Sequence, residues 1–303
     1  MNNTILITGG GGVVGSRLVR RFSDQGSEAR VLDLPGGPPA GDPAAVSARR
    51  VEADVTDPES LLGSCTGIHT VFHLAAVIIT RDPAQYQRIN VAGTRNMVDE
   101  AIRAGVKHFV LISSVAATDP DSSPYARSKY EAEQIVKSQQ DMAWTIVRPT
   151  LVYEQGGGQE YLLFVEGLER FPLVPFIGSG RAMKNPVYGE DIIQGLAAIA
   201  GNSRSHFKTY SFSGGEAVTL RELARLVLLQ RGTMRPFIHL PLWLCRPLVR
   251  LGEWLSSDFP LSSYGISRIE ADANPDNSDA RRDLGYAPIG VREGLQKCYP
   301  RSR

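Results

Sequence analysis

The stretch Thr8-Gly9-Gly10-Gly11-Gly12-Val13-Val14-Gly15 constrains this chain more than any other. It follows a short apolar run, Thr4-Ile5-Leu6-Ile7, and opens a segment whose apolar residues recur at three- and four-residue intervals. A glycine trio at this spacing between strand and helix performs three tasks. Gly9 permits the tight turn, Gly12 lets the backbone approach a pyrophosphate, and Gly15 lets helix and strand pack closely, while the helix N-terminus offers N–H groups to the anion. A purely structural glycine-rich turn would look similar, so context has to decide. Asp33 supplies it, ending the second strand about 20 residues on, where a carboxylate accepts hydrogen bonds from a ribose diol and repels a 2′-phosphate. NAD is therefore favoured over NADP. The bland alternative for Asp33 is a turn residue ahead of Leu34-Pro35-Gly36-Gly37, and Arg17 and Arg30 leave NADP open.

Periodicity extends the pattern. Candidate strands cover residues 4–8, 29–33, 49–53, 70–74, 108–113 and 143–148, separated by candidate helices near 13–25, 58–64, 84–104 and 125–140. Alternating strands and helices imply βαβ units in an α/β fold, a Rossmann-type doubly wound parallel sheet covered on both faces. After Pro149 the pattern loosens at Gly156-Gly157-Gly158, and a strand at 207–213 and a helix at 219–230 precede a Trp-, Leu- and Pro-rich stretch, 236–260. The expected division is a nucleotide-binding domain over 1–154 with returns near 185–213, and a smaller substrate domain over 155–184 and 214–303.

Composition excludes partners without naming a chemistry. With 33 basic and 32 acidic side chains there is no broad basic face for nucleic acid. Cys65, Cys245 and Cys298 lack metal-ligand or disulfide spacing, so neither a zinc site nor a disulfide framework is expected. A strand beginning almost at once predicts no leader peptide, and no run of eighteen apolar residues suggests a membrane span. The expected location is cytoplasmic.

Tyr125-Ala126-Arg127-Ser128-Lys129 is the strongest local signal for catalysis. Four residues apart on a helix, Tyr125 and Lys129 project from one face. Tyrosine titrates at about pH 10, too high for a base at neutral pH, and a neighbouring ammonium favours the phenolate. Such a tyrosine can take the proton of a substrate hydroxyl while the adjacent C–H leaves as hydride. Tyr/Lys pairs are common on solvated helices. This one follows a strand that ends in Ser113-Ser114.

Taken in order, these motifs resemble the extended branch of the short-chain dehydrogenase/reductase superfamily, the NAD-dependent epimerases and dehydratases. ITGGGGVVGSRLV looks like the nucleotide loop, with Val13 and Val14 inside it. DVTD at 54–57 is similar to the adenine-contact segment, and Asp54 and Val55 carry that role by resemblance; a helix N-cap explains Asp54 nearly as well. FHLAA at 72–76, NVAGTRNMVDEA at 90–101, ISS at 112–114, YARSK at 125–129, TIVRP at 145–149, NPVYGEDII at 185–193 and ARRDLGYAP at 280–288 resemble later markers. The resemblance implies Ser114, Tyr125 and Lys129 as catalytic residues, with Ser113 the competitor for the serine role. It places Leu74, Ala75, Ala76, Asn90, Ser113 and Pro149 beside the cofactor, makes His73 a packed or cofactor-adjacent residue, and implies a homodimer.

Departures from the family pattern narrow the reaction. Val115-Ala116-Ala117 replaces the acid pair of dehydratases, and no Cys or His lies between Ser114 and Tyr125 as in many epimerases. Oxidation or reduction of a secondary alcohol, or 4-epimerisation, is left. Leu151 stands where an Asn contacts a nucleotide diphosphate, and Lys184 keeps one cation of a usual RDF segment ahead of Asp191. Thr150, Leu151 and Lys184, with Ser114, are the candidate substrate contacts. A sugar alcohol, carried on a nucleotide or lipid, is the first expectation and a sterol-like alcohol the second. The third is a non-catalytic dinucleotide-binding protein. The apolar residues of 240–255 could line a pocket or touch a membrane, and an amphipathic helix packing the small domain explains them equally.

Overall fold

The computed structural model describes residues 4–36, 48–245, 247, 249 and 270–300. The chain forms two compact units.

The first unit comprises Met1–Pro149, Gly189–Phe212 and Asp276–Ala287. It is built on seven strands, β1 (Ile5–Thr8), β2 (Ala29–Asp33), β3 (Arg49–Glu52), β4 (Thr70–His73), β5 (His108–Ile112), β6 (Ala143–Pro149) and, after four short strands of the second unit, β11 (Lys208–Phe212). All pair in parallel, in the order β11-β6-β5-β4-β1-β2-β3. The chain reverses direction across the sheet between β1 and β4, the place where a doubly wound sheet opens a crevice at its carboxyl edge. β1 and β4 are buried throughout, as a strand with helices on both faces must be.

Helix α1 (Val13–Asp24) covers one face, with Phe22 against Phe72 at a centroid distance of 5.3 Å. On the other face α2 (Gly93–Arg103) and α3 (Pro124–Ser138) send Met97, Val98, Ala101, Ala132, Ile135 and Val136 into a core with Leu6, Val71, Phe109 and Ile146. Two expectations need correction here. Residues 58–64 form no helix. Successive three-residue-span bonds, Leu62 N–H to Glu59 and Ser64 N–H to Leu61, make a chain of turns that Gly63, at φ +83°, cannot extend into α geometry. The expected helix at 84–104 also opens with a π-helical segment, Tyr86–Ala92, before α2.

The second unit holds Thr150–Tyr188, Ser213–Pro275 and Pro288–Arg303. It contains β7 (Val152–Tyr153), α4 (Gln159–Glu169), β8 (Val174–Ile177), β9 (Met183–Lys184), β10 (Val187–Tyr188), β12 (Val218–Thr219), α6 (Leu220–Gln230), β13 (Phe237–Leu240) and α8 (Val291–Cys298); α5 (Gly189–Ala197) and α7 (Ser278–Leu284) belong to the first unit. Its core joins Tyr153, Tyr161, Val165, Phe176, Leu223, Val227 and Leu295.

The division differs from the sequence expectation in three places. Residues 150–154 fall in the second unit, and the return to the first starts at Gly189. Asp276–Ala287 lies in the first unit, where Tyr286 stacks on Phe212 at 4.5 Å and Asp283 accepts from Lys208 Nζ at 2.7 Å. Of the apolar stretch 240–255, Cys245 and Val249 are buried beside Ile177, Trp243 and Leu244 are exposed, and Leu248 and 251–255 lie outside the described residues. Among the described residues no helix is long and apolar enough to cross a membrane.

Candidate active site

The carboxyl edge of the sheet gathers the first unit's candidates. β1 ends at Thr8, and the chain turns through Gly9 at φ +68° into α1, capped by the backbone of Gly12. A Cβ on Gly15 would stand 2.3 Å from the Gly9 carbonyl oxygen, so the loop closes only over glycine. At Gly12 an added Cβ would meet only that same oxygen, at 3.2 Å, and its other side is open. α1 starts with no side-chain cap and no acidic residue in its first turn, leaving its N–H dipoles for an anion. Val13 and Val14 form that first turn. This cradle fits a dinucleotide pyrophosphate.

Asp33, at the end of β2, accepts from the Gly11 N–H at 2.7 Å, which ties the carboxylate to the loop. Burial raises its pKa, opposed by that bond and by the Arg50 charge. A carboxylate so placed, with lone pairs to spare, fits a ribose diol. Arg17 is paired with Glu190 at 2.7 Å, and Arg30 donates to the Thr66 carbonyl at 2.9 Å and to Glu28. Asp54 accepts from the Thr56 N–H at 2.8 Å, capping a turn, and Val55 is buried.

A relay of hydrogen bonds runs behind the crevice. Thr8 Oγ1 accepts the N–H groups of Leu74 (3.2 Å) and Ala75 (3.1 Å), fixing the segment that continues to Ala76, so its proton goes to His73 Nδ1 at 2.8 Å. His73 Nε2–H then donates to Thr94 Oγ1 (3.1 Å), which donates to the Asn90 carbonyl at 2.7 Å. The ring is buried and its pKa falls to about 3, through desolvation first and the Lys129 charge second. His73 is thus a neutral structural link. The π-helical segment turns Asn90 inward, where its side chain accepts from Val77 N–H (2.8 Å) and donates to Val77 C=O (2.9 Å) and Ser128 Oγ (3.0 Å).

α3 begins with a Ser123 cap on Ala126 N–H (2.8 Å) and Pro124 in its first turn, which puts Tyr125 at the helix start. Tyr125 is buried, its ring 5.8 Å from Tyr86. One turn on, Lys129 Nζ donates to the Ile112 carbonyl at 2.8 Å, at the carboxyl end of β5. Burial pulls its pKa down to about 8, resisted by the Glu133 carboxylate. Ser113 Oγ donates to Glu133 at 2.7 Å, whereas Ser114 Oγ accepts from Ala116 N–H at 3.2 Å. Pro149 closes β6, paired with Phe212.

Thr150, Leu151 and Lys184 belong to the second unit. Thr150 Oγ1 donates to the Asn185 carbonyl at 2.6 Å, Leu151 packs on that unit's core, and Lys184 Nζ donates to the Ala271 carbonyl.

Sequence reading passed over Thr8, Thr94, Ser128, Glu133 and Arg148. Glu133 is fully buried and accepts both Arg148 Nε (2.8 Å) and Nη2 (2.6 Å); these bonds, with that from Ser113, hold its carboxyl below its usual range despite burial. Its signal was present: a carboxylate four residues after Lys129 shares the inward face of α3.

Residues 5–211 match the NAD dependent epimerase/dehydratase family. A 3-beta-hydroxysteroid dehydrogenase of Mycolicibacterium neoaurum is 26% identical, covering 98% of this chain and 90% of its own. An N-acetyl-alpha-D-glucosaminyl-diphospho-ditrans,octacis-undecaprenol 4-epimerase of Escherichia coli O157:H7 is 25% identical over 98% of this chain and 94% of its own. Among solved structures, the UDP-glucose 4-epimerase of Thermotoga maritima with UDP-glucose superposes with a TM-score of 0.75 at 21% identity, covering 98% of this chain and 97% of that one.

Proposed function

This chain is an enzyme of the NAD-dependent epimerase/dehydratase family with NAD as its cofactor, and from that premise we propose that it interconverts a secondary alcohol on a hydrophobic skeleton and the corresponding ketone. The carrying observation is Lys129, buried one turn from Tyr125 and tethered to the end of β5 beside Ser114. Tyr125 Oη takes the proton of the substrate hydroxyl. The Lys129 ammonium stabilises the phenolate that must form first and holds the nicotinamide ribose. Ser114 donates to the reacting oxygen, because Ser113 already spends its proton on Glu133. NAD, when held by the glycine loop, Asp33 and Lys129, would supply the acceptor for the hydride of the carbinol carbon. Val115, Ala116 and Ala117 carry no group that could expel water, which argues against dehydration.

The substrate reading shifts from a nucleotide sugar towards a hydrophobic alcohol. Leu151, at the position of a diphosphate-contacting Asn, is apolar and packs, partly buried, against the core of its unit, and the Lys184 ammonium is directed at a carbonyl. A steroid dehydrogenase and a sugar epimerase match over the same 98% of the chain, so the apolar Leu151 and the engaged Lys184 carry the choice. Sugar 4-epimerisation is the second reading, favoured by the undecaprenol-linked relative. A panel of 3-hydroxysteroids, 3-hydroxyalkanoates and UDP-sugars, followed by NADH absorbance and by sugar interconversion, separates them. Net NADH formation from a hydrophobic alcohol alone is expected. Interconversion of a UDP-sugar without net NADH would overturn the reading.

A further inference from the structure

The second unit carries a cavity of about 220 Å³ with no part in the proposed chemistry, lined by Arg221, Arg225, Leu228, Met234, Arg235 and Phe237, with Pro236 at its edge. Three arginines from two segments line this one small space. Arg221 and Arg225 lie one turn apart on α6, and neither has an acidic partner among the described residues. Arg235, ahead of β13, donates to the Phe171 carbonyl. The nearby carboxylates are spoken for: Glu222 pairs with Arg292 and Glu169 with Arg231. Like charges held together with no carboxylate partner among the described residues repel, so this arrangement favours an anion with several acceptor oxygens, and guanidinium geometry matches phosphate.

The surroundings narrow the anion further. Met234 in the cavity wall is 73% exposed, and Phe171, whose carbonyl Arg235 holds, and Leu173 before β8 are exposed as well. A soluble phosphate gains nothing from an apolar rim. A phospholipid headgroup presents its phosphate immediately above acyl chains, where arginines reach the phosphate and large apolar side chains sit in the interface. We propose that the cavity between α6 and β13 binds the phosphate of an anionic phospholipid, with the apolar rim resting on the membrane that carries it.

The test sediments the full chain, loaded with NAD, with vesicles of phosphatidylcholine containing phosphatidylglycerol and with phosphatidylcholine alone. Preferential binding to the anionic vesicles is expected. Each Arg→Gln change should weaken it roughly fivefold, and Arg221→Gln with Arg225→Gln on the order of 25-fold. Arg225→Lys, which keeps the charge but loses the fork, should weaken binding less than Arg225→Gln, and Met234→Ser should reduce it while circular dichroism and NAD binding stay as in the parent. Equal binding to neutral vesicles, or Gln variants that bind like the parent, would overturn the proposal. So would saturation of the cavity by glycerol 3-phosphate or UDP without vesicle preference. A dimer that Met234→Ser dissociates would assign the apolar rim to a second copy and equally overturn it.

Discussion

Lys129 should weaken the fold it serves, and replacing it by methionine measures by how much. Burial lowers its pKa from 10.5 to about 8, so the folded protein carries the ammonium at neutral pH against its environment. That difference corresponds to roughly 3 kcal/mol at pH 7. Lys129→Met removes this cost and leaves the Ile112 carbonyl without its donor, a loss of about 1 kcal/mol. The variant should therefore be more stable than the parent by about 2 kcal/mol at pH 7. The sign follows from proton counting. Between pH 8 and 10.5 the unfolded chain binds more protons at this lysine than the folded one, so the parent gains stability as pH rises through that window. Near its upper end the advantage of Lys129→Met should vanish and turn into a small deficit. Urea unfolding of the cofactor-free protein at both pH values, read through Trp144 on β6, tests it. A variant less stable at pH 7, or a gain independent of pH, would refute the assignment of Lys129 as a desolvated ammonium. Catalytic loss with a gain in stability is the trade expected of a residue kept for chemistry.

Asp33→Asn removes the carboxylate proposed to meet the ribose diol, so NADPH affinity should rise by on the order of tenfold or more while NADH affinity falls, measured by titration of cofactor fluorescence. Gly15→Ala places a methyl 2.3 Å from the Gly9 carbonyl oxygen, and should destabilise the first unit by about 1–3 kcal/mol and weaken NAD binding beyond detection of the parent's range. Glu133→Gln leaves Arg148 beside a neutral amide in a buried site and should cost about 3 kcal/mol in urea unfolding; adding Arg148→Met should recover part of that loss, and additive losses would contradict a coupled pair.

The first unit was largely legible because its signals are local. Alternating apolar runs and helical periodicity located the seven parallel strands, and the glycine spacing located the loop to the residue. The π-helical segment escaped because it leaves the apolar spacing of 84–104 intact and is stabilised by the long-range bonds of Asn90 to Val77 and Ser128. The helix at 58–64 failed because Ser60 and Gly63 favour turns over an apolar pattern too short to decide. The resemblance put Ser114 in the serine role with Ser113 as its competitor; the bond from Ser113 to Glu133, which supports that choice, needs the fold. In the second unit Leu151 was visible as a departure, but that it packs against a core required the packing of Tyr153 and its neighbours. The Arg221, Arg225 and Arg235 cavity joins a helix to the approach of a strand and has no contiguous motif.

The central claim is that Tyr125 moves the proton when a carbinol carbon gives up its hydrogen to NAD. The most direct measurement uses the best alcohol from the panel, deuterated at its carbinol carbon, and reads the deuterium content of the recovered NADH by mass spectrometry for the parent and Tyr125→Phe. The parent should return singly deuterated cofactor. Tyr125→Phe, still binding NAD, should transfer deuterium at least a hundredfold more slowly. Equal transfer by both proteins, or a parent whose product carries no deuterium, would contradict the account.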